Sequence, residues 1–160
     1  ELLQRCGKTQ GFSVIRTLLT RGPSDYALKI PEHAKPQMIM RLAEAPAHAG
    51  FVDAIIAQNV RRNEGSPLSR IKSINYGDQI LALQEAQNKK AQDAILLNNA
   101  GHVTCATSGN IFIVRNGKFF TPPVEDGVMA GIVRGKVIER YGAVEQSLSA
   151  QDLLQCEGLY

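Results

Sequence analysis

The stretch TCATSGNIFIVRNGKFFTPPVEDGVMAGIVR, residues 104–134, decides how the rest of the chain is read. Ile111, Phe112, Ile113 and Val114 form one strand-forming run and Lys118 to Thr121 a second, with Asn116-Gly117 between them. Both turn residues tolerate positive φ, which predicts a β-hairpin closed by a type I′ turn. Beyond Pro122-Pro123, Gly131 opens an apolar-periodic segment through Ile132, Val133, Val137 and Ile138, so a helix is expected over 132–141 with Gly142 as its cap. The first N–H groups of such a helix have no intrahelical acceptor and attract anions. Its start is therefore a candidate phosphate site, with a simple Gly-led turn as the competing reading.

Outward from that stretch the pattern is mixed. Residues 1–6 read as the end of a helix closed by Gly7, residues 12–20 and 36–42 as strands, and 27–35 as a Pro-containing loop. Residues 43–50 combine small residues with Pro46 and carry no apolar stripe, so they are the expected interdomain linker. Residues 52–60 then read as a strand, 77–91 as a helix with Ile80, Leu83 and Ala86 on one stripe, and 93–97 as a buried strand. Near the end, 144–148 reads as a strand, and Ser149 with Asp152 as a capping box opening a last helix. The fold class is α/β of the α+β type, in two unequal parts.

Composition narrows the function. The 160 residues are 44% hydrophobic, enough for one ordinary core, and a net charge of +3 is spread along the chain with only Arg61-Arg62 and Lys89-Lys90 as basic doublets. With no Trp and few Phe and Tyr, an aromatic-interleaved basic surface for nucleic acid is absent. Cys6, Cys105 and Cys156 form neither a Cys-x-x-Cys nor an even disulfide set, which fits a cytoplasmic compartment and no metal site; His33, His48 and His102 are equally dispersed. No apolar run approaches the roughly 20 residues of a membrane span. The chain starts at Glu1 and stops at Tyr160 without a tail, so it reads as an excerpt.

Thr107, Asn110, Ile111, Phe112, Thr121, Met129, Gly131, Ile132 and Arg134 fall at the spacing of a known signature. It resembles that of the class IV aminotransferases, the fold-type IV pyridoxal phosphate enzymes. Upstream, Ile71-Lys72-Ser73-Ile74-Asn75-Tyr76 is similar to the lysine segment of D-amino-acid aminotransferases and aminodeoxychorismate lyases. Alone, Lys72 between apolar neighbours reads as a snorkelling surface residue. The resemblance makes it the lysine that forms the Schiff base with pyridoxal 5'-phosphate.

The same resemblance implies a small N-terminal domain, partly present as 1–42, the linker 43–50, and a larger coenzyme-binding domain over 51–160 that is C-terminally incomplete. It implies a homodimer with a site between the two domains and an amino-acid or keto-acid substrate. The coenzyme phosphate would lie on the backbone of Ile132 and Val133, and Met129 would pack on the pyridine face. Cys105 stands where relatives carry the acid that keeps the ring nitrogen protonated. A lysine amine attacks an aldehyde only when neutral, which asks for burial, here by Ile71 and Ile74, or a nearby cation. The implied function is amino transfer; elimination to 4-aminobenzoate and pyruvate, or a non-catalytic homologue, are the alternatives that Cys105 keeps open.

Overall fold

The computed structural model describes residues 2–8, 10–25, 28–45 and 50–160. The chain divides into two units, Glu1–Ala49 and Gly50–Tyr160. In the first, a short helix α1 (Leu2–Arg5) ends at Gly7, whose φ of 65° suits a left-handed cap. Strands β1 (Ser13–Thr20) and β2 (Gln37–Glu44) then pair antiparallel. The ladder runs from Thr20↔Gln37 to Ser13↔Glu44, so Ala43 and Glu44 belong to the strand and not to the expected linker. Backbone pairing outweighs the small-residue composition there, and Lys8 adds a 2.6 Å ion pair to Glu44. The linker residues 46–49 lie outside the described residues.

The second unit carries the site. Strand β3 (Ala54–Ile56) pairs parallel with β4 (Asp93–Leu97), which pairs antiparallel with β5 (Val103–Ala106). Parallel neighbours need a long crossover, and helix α2 (Gly77–Asn88) lies within it. Small residues let helix and sheet approach: Ala82 and Ala86 pack with Ala57, Ala94 and Leu96 in one buried cluster. Ile80, expected on the buried stripe, is 64% exposed, because the inward face is Ala82, Glu85 and Ala86.

Strand β3 is shorter than the expected 52–60, for an electrostatic reason. The buried Glu85 carboxylate takes the N–H groups of Gln58 and Asn59 and the Lys89 ammonium, drawing the chain off the sheet after Ala57. A side chain 27 residues beyond Gln58 is invisible to a local pattern.

The predicted hairpin forms from β6 (Ile113–Arg115) and β7 (Lys118–Thr121), with φ of 50° at Asn116 and 67° at Gly117. Ile111 and Phe112 precede the ladder; Phe112 instead exchanges two 2.8 Å backbone bonds with Tyr160. Helix α3 (Ile132–Tyr141) has the predicted bounds and ends at Gly142, φ 61°. Strand β8 (Val144–Glu145) is cut short because Leu148 turns into the core, where it packs with Ile95, Val103 and Ile113. The capping box of Ser149 and Asp152 opens α4 (Ala150–Gln155) as expected. Gly158–Leu159 form β9, a strand that composition did not announce, completing the order β8-β7-β6-β9.

Glu85 gives a pH test. Lys89 first, then the two loop N–H groups, hold its carboxyl below the usual value despite burial. The unfolded chain therefore takes the proton first, so the stabilisation is present at neutral pH and lost as pH falls below about 4.3. Urea unfolding should show Glu85→Gln weaker by about 1–3 kcal/mol at neutral pH. The gap to the wild type should close in acid; a gap independent of pH would contradict the assignment.

Candidate active site

One cavity of the second unit gathers the chemistry-bearing residues, among them Arg62, Lys72, Tyr76, Cys105, Asn110 and Met129. Three chain segments build it. The first leaves β3 and meets β4 at Arg62, whose N–H donates to Leu97. Its guanidinium Nη2 donates to the carbonyls of Ser69 and Gly127, while Nε is buried without an acceptor. Ser66 then caps the turn Pro67–Ser69, and Ser69 donates to Asn63, so the approach to Lys72 is ordered by its own short-range bonds.

Lys72 donates from Nζ to the Tyr76 hydroxyl at 2.9 Å and lies 5.6 Å from the ring centre. It is exposed. Ile71 and Ile74, expected to bury it, are themselves 55% and 74% exposed, so the apolar neighbours in sequence do not wall the amine. The partner that matters is four residues on, one helical turn away in spacing though the helix itself starts only at Gly77.

Cys105 comes from β5, paired with Leu96 of β4 and bridged to Asn110. Burial pushes its thiol up from the ordinary value, outweighing the Thr104 hydroxyl and the Arg62 charge, which pull it down; the Asp93 charge pushes it up further. It is a neutral thiol at physiological pH. The turn after it is pinned by Thr107, which donates from both its backbone N–H and its hydroxyl to Asp93 Oδ1, at 3.2 and 2.6 Å.

Asn110 joins this turn to the third segment. Its amide donates to the Met129 carbonyl at 3.0 Å, and its Oδ1 would lie 2.7 Å from a Cβ at Gly131. Only glycine allows that approach. Gly131 offers no capping side chain, so the first N–H groups of α3 keep no intrahelical acceptor. Ile132 and Val133 carry those groups with side chains 86% and 75% exposed. They do not line the cavity that holds Lys72, Cys105 and Met129, although Asn110 ties its wall to the turn just before them. Arg134 is buried, donating to the Pro122 carbonyl and to Glu145. Arg62 is the cavity residue that sequence reasoning missed, since it stood only as half of a basic doublet.

A family model described as amino-transferase class IV matches residues 1–160. The chain belongs to that family. This class IV chain is 35% identical over 154 residues to a putative branched-chain-amino-acid aminotransferase of Methanocaldococcus jannaschii, covering 91% of this chain and 53% of that one. Among solved structures it is similar to a putative 4-amino-4-deoxychorismate lyase of Legionella pneumophila, with 27% identity and a TM-score of 0.85 over 98% of this chain and 59% of that one. A branched-chain aminotransferase of Thermoproteus uzoniensis with norvaline gives 26% and 0.84, over 92% and 52%. The class IV chain thus spans about half the length of these relatives, and their names divide between transferase and lyase.

Two glycines of the class IV chain test the packing in opposite directions. Gly131→Ala must displace Asn110 and should cost about 1–3 kcal/mol. Gly135→Ala, inside α3 with nothing near the added methyl, should stabilise by about 0.5–1 kcal/mol. Urea midpoints of both variants check this; equal effects of one sign would refute the close contact at Gly131.

Proposed function

We propose that the full-length protein is a pyridoxal phosphate enzyme that acts on an amino-acid-like substrate through Lys72, most readily as an aminotransferase. The observation that carries the reading is the convergence of Lys72, Tyr76, Cys105, Asn110 and Met129 on one cavity. The donor set fits the coenzyme: the Lys72 amine for its aldehyde, the Arg62 cation for its charge, and an uncapped helix start next to the Asn110 tether for its phosphate. When bound, the coenzyme would supply the electron withdrawal that loosens a bond at the substrate α-carbon.

The chain's own residues have separable tasks in this reading. Lys72 anchors the coenzyme and moves the proton at the substrate α-carbon. The Tyr76 hydroxyl holds Nζ in place. Backbone N–H groups of Ile132 and Val133 take the phosphate, which leaves their side chains free to be any apolar residue. Met129 supplies a ring-face contact. The units Glu1–Ala49 and Gly50–Tyr160 correspond to parts of the two domains in this reading, and the resemblance implies that the whole protein pairs with a second copy.

Elimination is the second reading, favoured by the neutral Cys105 and by the lyase name of a structural relative. Assays with D-alanine or branched-chain amino acids plus 2-oxoglutarate, beside aminodeoxychorismate, separate the two; coenzyme binding without turnover on any would identify a non-catalytic homologue. Borohydride reduction with pyridoxal phosphate should fix the phosphopyridoxyl mass on the Lys72 peptide alone. Lys72→Ala should abolish that mass and lower any rate by about 10²–10⁴-fold. Labelling at a different lysine would defeat the assignment.

A further inference from the structure

Among the described residues, the cavity wall carries Arg62 and Lys72 and not one Asp or Glu. We propose that this acid-free cavity, with Arg62 as its fixed cation, holds the pyridine ring of its coenzyme with the ring nitrogen unprotonated, Arg62 being the residue that enforces this state. The inference rests on the coenzyme assignment above and adds to it the charge state in which the ring is bound.

Protonating the ring would place a second positive charge beside one that cannot leave, the Arg62 guanidinium. Arg62 is held by the Ser69 and Gly127 carbonyls, and an arginine stays charged at any physiological pH. Lys72 is the group that would engage the aldehyde. The remaining titratable groups facing the space are Cys105 and Tyr76. Burial keeps the first neutral, and the hydroxyl of the second is engaged by the Lys72 amine. Asp93 is the carboxylate whose field reaches Cys105, but it does not line the cavity. Its Oδ1 already accepts from the Ala94 N–H and from both donors of Thr107. No described wall residue can therefore stand opposite a pyridinium as its counter-charge.

Arg62 also keeps its charge without a carboxylate partner among the described residues. Both its carbonyl bonds leave from Nη2, and Nε, buried, has no acceptor. Its charge is matched by carbonyls alone and by no carboxylate, and a cation so held favours a ligand that presents lone pairs over one that is itself cationic. An unprotonated ring nitrogen presents one; a pyridinium presents none. A ring bound this way withdraws electrons less strongly, which restrains reactions that build the most negative charge at the substrate α-carbon.

The test uses the full-length protein and pyridoxal phosphate labelled with nitrogen-15 in the ring. The nitrogen resonance of the bound coenzyme at neutral pH should be that of an unprotonated pyridine, and Cys105→Glu should move it to the protonated position. Beside it, binding of the N-methyl analogue, whose ring is permanently cationic, should be at least tenfold weaker than that of pyridoxal phosphate in the wild type. That gap should narrow in Cys105→Glu, which controls for the bulk of the methyl group. A protonated resonance in the wild type, or equal affinity for the two ligands, would overturn the inference while leaving the coenzyme assignment standing. Absence of any bound coenzyme, with no trapping at Lys72, would instead remove the assignment itself. Because the wild-type comparison decides the matter, no outcome depends on a variant folding.

Discussion

The bond from the Asn110 amide to the Met129 carbonyl holds together two segments that the chain places nineteen residues apart. On one side is the turn after β5, with Cys105 and Thr107; on the other is the tight turn into α3. That bond, with the Arg62 bond to the Gly127 carbonyl, sets where the helix start lies relative to the cavity. Gly131 makes the bond possible by having no side chain, and Arg134 completes the arrangement from the interior by tying the first turn of α3 to Pro122 and Glu145. The helix is thus oriented from its buried face, which leaves its N–H end open.

Much of this was legible locally. The Asn116-Gly117 turn, both bounds of α3, the span of β4 and the Ser149 capping box are set by residues within a few positions of one another, where turn chemistry and periodicity act. Features set at a distance were not legible. Glu85 ends β3 from another element, β9 exists because Ile113 and Val114 offer it a free edge, and Thr107 earns its place through Asp93. The lysine segment shows the same division: Lys72 could be singled out by its motif, yet its neighbours Ile71 and Ile74 do not enclose it. Arg62 had no motif at all, because its significance lies in Ser69, Gly127 and Cys105.

Two arginines, Arg62 and Arg134, each leave a buried Nε without an acceptor while spending Nη2 on carbonyls. Each orphan donor costs roughly 1–3 kcal/mol. At Arg134 the ion pair to Glu145 and the anchoring of α3 offset it. At Arg62 no carboxylate is paired with the guanidinium among the described residues, so the charge is left to act on the cavity.

The burial of Cys105 has a practical side as well. Thiolates, not thiols, react with maleimides and oxidants, so a buried cysteine kept protonated in the cavity wall is slow toward both. Cys156 is half-buried with its sulfur against the Leu153 carbonyl, whereas Cys6 is exposed in the other unit. A single probe can therefore be placed on Cys6 to follow the Glu1–Ala49 unit by fluorescence or spin label while the cavity chemistry stays unmodified.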